Sequence, residues 1–120
     1  MANEITTSAS LAFSKNEIED SLAFAQANFD VSGSKFIHNV QAFVSTDQVA
    51  VDKGNITTIG WVAIKNHDDT NYVEWFGVED ESATIKIKAN EFCLFRSASS
   101  APFIQANTGS CTVEYLLIED

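Results

Sequence analysis

Proline, glycine and long apolar runs are scarce in this chain. It has one Pro and five Gly in 120 residues, a composition unlike that of collagen-like or disordered proteins. No segment approaches the ~18 consecutive apolar residues that a membrane helix needs. The first residues also lack a basic segment followed by an apolar one, so we expect no secretory signal and no membrane partner.

Basic residues are scarce as well. Seven Lys and Arg stand against seventeen Asp and Glu, which gives a net charge of −10. Binding to a nucleic-acid backbone or an anionic membrane surface needs cationic side chains that replace counterions, so we expect neither as a partner. The acidity is typical of a soluble protein surface. It leaves open docking onto a basic partner surface or binding of divalent cations.

Few residues of this chain could perform catalysis. It has two histidines, His38 and His67, and two cysteines, Cys93 and Cys111. Zinc sites need closely spaced pairs of Cys and His, and no G-x-S-x-G nucleophile motif is present. We therefore predict no catalytic residue, no metal and no cofactor, and conclude that the chain is not an enzyme. We expect the thiols to be free and buried, while a disulfide between neighbouring strands stays an open alternative.

Acidic side chains cluster at two predicted loops, Asp68-Asp69 and Glu79-Asp80-Glu81. Calcium takes six to eight oxygen ligands, and neither loop has the D-x-D-x-D-G pattern of a dedicated site. His67 lies beside the first loop, but polar residues are common in turns because they accept turn geometry. We therefore predict solvated acidic loops, with calcium binding as the alternative.

The chain is rich in segments whose side chains alternate with period two. Successive side chains of a strand point to opposite faces of a sheet, and each segment ends in a short polar turn. We predict an all-β fold, a single antiparallel β-sandwich, jelly-roll-like, with about eight to nine strands. The domain spans residues 1–120, and residues 1–15 form an N-terminal arm or an edge strand. A helix competes with a strand only over residues 21–31, which are rich in Ala, and we favour the strand.

Aromatic residues occupy both faces of the segment NYVEWF. Tyr72 and Phe76 share one face with Glu74, while Trp75 lies on the other. Such residues form a core, a subunit contact or, together with Trp61, a platform for sugars. We predict a subunit interface formed by Tyr72, Trp75, Phe76, Leu11 and Phe13.

Three passages of the second half of the chain resemble a known group of proteins. They are GWVAIKNHDDTNYVEWFGV, IKIKANEFCLFRSA and IQANTGSCTVEYLLIED, within residues 60–120. Together they are similar to a pattern of strands and turns in small virion proteins of tailed bacteriophages. Those proteins usually have Pro-Gly before Glu-Phe, where this chain has Ala89-Asn90, and Asn also accepts left-handed turn geometry. The resemblance implies a particle component built as a small β-sandwich.

The resemblance and the composition together suggest a function. We expect a head decoration (cement) protein that binds the outside of the capsid as a homo-oligomer, with a trimer favoured. Its partners would be the major capsid protein or other virion proteins, and its location the virion, assembled in the host cytoplasm. One alternative is a head–tail joining, collar or tail-fibre-associated protein. Another is a carbohydrate-binding jelly-roll module that recognises glycans through Trp61, Trp75 or Tyr72.

Overall fold

A computed structural model describes residues 4–120 of the chain, and these form ten β-strands and no helix. All strand pairs are antiparallel, which confirms the predicted fold class. The chain divides into two compact units, Met1–Ser32 and Gly33–Asp120. The prediction of one domain over residues 1–120, with residues 1–15 as an arm or edge strand, stays a prediction, and residues 1–3 of that arm lie outside the described part.

The first unit is a long β-hairpin. Strand β1 (Ile5–Lys15) pairs with β2 (Ile18–Phe29), so the predicted strand over residues 21–31 is confirmed against the helix as far as Phe29. The loop contains only Asn16 and Glu17, with φ angles of 53° and 67°. Two loop residues with positive φ match the right-handed twist of the flanking strands. Because the turn is this short, β2 begins at Ile18, earlier than the sequence pattern indicated.

The second unit contains the other eight strands. These are β3 (Phe36–Val44), β4 (Val49–Ala50), β5 (Ile59–Asn66), β6 (Val73–Phe76), β7 (Ile85–Ile87), β8 (Phe92–Arg96), β9 (Phe103–Ala106) and β10 (Ser110–Glu119). They form two four-stranded sheets, with strand orders β3-β10-β5-β8 and β4-β9-β6-β7. The first strand of the unit therefore pairs with its last, the second with the seventh, the third with the sixth and the fourth with the fifth. This nested pairing is the topology of a jelly roll.

The core of the second unit fills the space between its two sheets. Phe43, Val62 and Leu117 of the first sheet are fully buried, as are Val73 and Ile104 of the second. Each of these residues alternates along its strand with a more exposed neighbour. The core therefore follows from the period-two pattern in the sequence.

The structure has ten strands where eight to nine were expected. The difference arises because β4 contains only Val49 and Ala50, which pair with Ile104 and Phe103. The sequence pattern indicated a connection with at most a short strand over residues 47–55. Two residues are too few to establish an alternation.

Both cysteines are free, with Cys111 buried and Cys93 half-buried. Strand β5 lies between their strands β8 and β10 in the sheet, so the two thiols are not on neighbouring strands. Among residues 4–120, no helix has the length and apolar character needed to cross a membrane.

Candidate functional site

One side of the β1–β2 hairpin is mostly apolar, and Lys15 and Asp20 near the turn are its charged residues. In the strand register Leu11 lies opposite Leu22, Phe24 opposite Ala9, and Ile18 opposite Lys15. Residues paired in this way point to the same side of the hairpin, and alternation along β1 places Phe13 on that side too. We call Leu11, Phe13, Ile18, Leu22 and Phe24 the hairpin face.

The other side of the hairpin is small and polar. It carries Ser10 opposite Ala23, Ala12 opposite Ser21, and Ser14 opposite Glu19. The hairpin is thus amphipathic. Antiparallel strands have this pattern when one face packs against another layer of protein and the other face meets water.

The hairpin face is open to solvent. Leu11 is 76% exposed, and Phe13, Ile18, Leu22 and Phe24 are each more than half exposed. A two-stranded hairpin is marginally stable at best in water, because it has no second layer on which to bury side chains. Contiguous exposed apolar patches mark interaction sites on soluble proteins. The hairpin face is therefore the first candidate contact surface.

A second apolar surface lies on the outside of the β3-β10-β5-β8 sheet. Phe36 and Val40 of β3 are 69% and 57% exposed, and Phe92 of β8 is 76% exposed. Leu94 of β8 and Leu116 of β10 point to the same side, since both lie in register with outward-facing Ala63 of β5. We call Phe36, Val40, Phe92, Leu94 and Leu116 the sheet face.

The sheet face contains a shallow groove. The groove has a volume of about 410 Å³, and its lining includes Phe92 and Leu94 on one side and Leu116 on the other. The small side chain of Ala63 lies between these strands and leaves the space open. A groove with apolar walls and a small residue at its floor accepts a protruding apolar side chain.

His38 and Glu114 line this groove and form a hydrogen-bonded group with a third side chain, His67. The Nε2 atoms of His38 and His67 lie 2.6 and 2.7 Å from the two carboxylate oxygens of Glu114. The imidazoles donate and the carboxylate accepts, because an ionised carboxylate has no proton to give. Hydrogen bonds from His67 and then His38 hold the pKa of Glu114 below its ordinary value. Glu114 is therefore engaged on both oxygens.

Cationic side chains also lie on the outside of this sheet. Arg96 binds Asp120 at 2.9 Å and lies over the ring of Trp61 at 5.4 Å. Lys65 is exposed, lies in register with Phe92, and has no ion pair with any of residues 4–120. It is the cation at the border of the groove that is open to an anionic group from a partner.

The predicted interface residues separate into two groups. Leu11 and Phe13 are exposed on the hairpin face, so they are available to a partner. Trp75 and Phe76 are only 3% and 6% exposed, and Trp75 packs edge-on against Phe95 at 5.0 Å. These two side chains are therefore packed within the second unit, and their part in an interface stays a prediction. Tyr72 is half-buried, with the Lys86 ammonium 4.4 Å from its ring centroid.

The acidic turn after β5 has a structural role. The Asp68 carboxylate accepts the backbone N–H groups of Thr70 and Asn71, at 3.0 and 2.6 Å, which lowers the pKa of Asp68. The fully buried Asn66 accepts the N–H of Asp68 at 2.9 Å. Its amide donates to three carbonyls, those of Asn71, Ile87 and Lys88. Within the described residues, no group of three potential metal ligands is arranged to hold an ion.

The sequence patterns did not predict the sheet face. The alternation along β3 does place Phe36, His38 and Val40 on one side, but the other side also carries the apolar Ile37 and Phe43. When both sides are apolar, alternation cannot tell which side faces the core. The feature that identifies the sheet face is that all four strands of one sheet have apolar residues on both sides. This feature can be recognised only when the order of the strands in the sheet is known.

Comparisons with protein-family models, with curated proteins and with solved structures found no match to this chain.

Proposed function

We propose that this chain is a structural protein of a bacteriophage virion, most simply a decoration (cement) protein on the outside of the head. Its mechanism is burial of apolar sheet surface in an assembly, which holds neighbouring shell subunits together. It requires no chemical step. The proposal combines the resemblance of residues 60–120 to small phage virion proteins with the surface properties of the folded chain.

The observation that carries this proposal is the exposed hairpin face. Within residues 4–120, an 11-residue and a 12-residue strand pair only with each other, and the five apolar side chains of the hairpin face are in water. A free monomer would leave this surface solvated at a cost of about 25 cal/mol per Å². A subunit that functions in an assembly removes that cost on binding. Structural subunits are therefore the class of protein that this surface fits best.

Two further features support a virion location. The net charge of −10 disfavours contact with packaged DNA, so it suits a part on the outside of the particle. The jelly roll is also a fold used by viral capsid proteins, although it serves lectins and enzymes too. The sugar platform loses support, because Trp75 lies in the core and cannot stack on a glycan.

Copy number on purified particles tests this proposal. Quantitative mass spectrometry of virions, normalised to the major capsid protein, should find this chain in a fixed ratio near one copy per shell position. Shells that lack the protein should bind the purified chain until that ratio is reached, and should then resist heating better. A small fixed number of copies per particle would instead favour the head–tail, collar or tail-fibre alternative. Absence from particles would contradict a virion role.

A further inference from the structure

We propose that the hairpin face of one copy packs on the sheet face of a second copy, with Phe13 in the groove over Ala63 and Asp20 beside Lys65. This rests on the premise of the proposed function that the chain works in an assembly, and it assigns both partner surfaces. Sheets pack face to face at about 10 Å when both faces are apolar. Both faces described above meet that condition.

The size of the two faces reaches the lower limit for a specific contact. A large apolar side chain offers on the order of 150–200 Å², so the exposed fractions of the hairpin face correspond to roughly 550 Å². The sheet face offers a similar area, roughly 500 Å², by the same estimate. Their contact would bury about 1,000 Å² in total, which is the lower limit for a specific interface. A copy that uses its hairpin face in one contact and its sheet face in another would bury about 1,000 Å² of its own surface.

The shapes of the two faces also match. On a flat sheet surface, the aromatic side chains of the hairpin would keep the two surfaces apart. The groove over Ala63 instead provides a volume of about 410 Å³ that can receive one of them. Phe13 lies near the hairpin turn and is 55% exposed, so its ring is accessible to a partner. An aromatic side chain in an apolar pocket is the common anchor of protein interfaces.

The carboxylate of Asp20 favours Phe13 as the anchor over Phe24, the other aromatic residue of the hairpin face. Asp20 lies directly opposite Phe13 in the strand register, and so on the same side of the hairpin. With Phe13 in the groove, Asp20 would reach the groove border, where Lys65 is open to an anion while Glu114 is held by two histidines. The residue opposite Phe24 is the uncharged Ala9. This complementarity matters because two copies of net charge −10 otherwise repel each other.

The contact joins two different surfaces, so it is heterologous. Heterologous contacts close into rings when the rotation between copies allows it, and otherwise give open chains. A closed ring of three copies satisfies every hairpin face and every sheet face once. A closed ring of any other number does the same, so this contact accommodates the predicted trimer while the rotation between copies sets their number.

A photo-crosslinker placed at position 13 tests the contact directly. The full chain with benzoylphenylalanine in place of Phe13 is mixed with an excess of ¹⁵N-labelled wild-type chain and irradiated. We expect cross-links from position 13 to peptides of β5 or β8, and we expect them between unlabelled and labelled copies. Cross-links only within one copy, or only to the hairpin of another copy, would overturn the proposal.

Matched variants test the same contact in solution. Phe13→Glu and the groove-filling Ala63→Phe should each raise the dissociation constant of the oligomer about thirtyfold or more, the effect expected for an anchor residue. Ala12→Glu, on the polar side of the hairpin, and Ala50→Phe, on the other sheet, should change it by less than about threefold. Equal effects of the test and control variants would overturn the assignment of surfaces.

Charge reversal provides a rescue experiment. Asp20→Lys and Lys65→Asp should each weaken the oligomer by about threefold, as expected for an ion pair at an interface border. The double variant should restore wild-type affinity, a result that a purely structural role of either residue would not give. Additive weakening would overturn the pairing. The virion role is judged separately by copy number on particles, so either proposal can fail while the other stands.

Discussion

Replacing Asn66 tests the account of the loops that surround the second unit. Asn66 is fully buried at the end of β5, and its amide nitrogen lies 2.9, 3.2 and 3.3 Å from the carbonyl oxygens of Asn71, Ile87 and Lys88. Its carbonyl oxygen accepts the N–H of Asp68 at 2.9 Å. One side chain thus joins the turn after β5 to the end of β7.

Asn66→Leu keeps the number and branching of the side-chain heavy atoms and removes all of these bonds. An amide nitrogen has two hydrogens, so three carbonyls share two donors, and with the accepted bond about three full hydrogen bonds are lost. Each contributes about 1 kcal/mol net, and buried groups left without a partner cost about 1–3 kcal/mol each. We expect the free energy of unfolding to fall by about 3–5 kcal/mol, a large share of the ~5–15 kcal/mol typical of a domain.

Urea denaturation followed by circular dichroism measures this change. The matched control is Asn55→Leu, since Asn55 is exposed in the loop before β5, and it should change the free energy by less than about 0.5 kcal/mol. A loss of less than about 1 kcal/mol for Asn66→Leu would refute the reasoning, because it would mean that water or the neighbouring backbone satisfies these groups equally well.

Three further predictions concern the second unit. Trp75→Ala should lower the free energy of unfolding by about 3–5 kcal/mol, and Trp61→Ala by clearly less, because Trp75 is in the core and Trp61 is only half-buried; equal losses in urea denaturation would contradict this. The pKa of Glu114 is lowered in the folded state, so its contribution to stability is present above its ordinary value of 4.5 and is lost as the pH falls through the lower folded value. Glu114→Gln should therefore flatten the decline in stability below pH 4.5, and an unchanged slope would count against the histidine contacts. Gly33→Ala should destabilise by about 1–3 kcal/mol, because the new Cβ would lie 2.5 Å from Cγ of Glu119; a thermal melt identical to that of the wild type would show that Glu119 moves freely.

Much of the fold follows from local sequence patterns. Alternation located the long strands, since a strand such as β5 has a polar turn at its end and apolar residues at every second position. The turn from Asp68 to Asn71 was also predictable, because Asp and Asn accept backbone N–H groups in turns. The pairing of β3 with β10 was not, because those strands are separated by most of the unit and nothing in either segment identifies its partner.

The candidate site shows where local patterns are insufficient. Trp75 and Trp61 are both aromatic residues in strands, and only the sheet order determines that Trp75 faces the opposite sheet while Trp61 faces outward. Leu11 and Phe13 were predicted as contact residues, and the structure adds their neighbours on β2, because the short turn at Asn16 fixes the register. The groove over Ala63 is lined by four strands that are distant from one another in the sequence.

The mass of the purified chain in solution, measured by light scattering at micromolar concentration, tests the central claim most directly. The account predicts a stable oligomer, with three copies of the 13.1 kDa chain favoured. The mass should not change when a chelator is added, and Phe13→Glu should reduce it to that of one chain. A wild-type chain that stays at 13.1 kDa over the whole concentration range, with its hairpin protected from hydrogen exchange, would contradict the claim that copies cover each other's apolar faces.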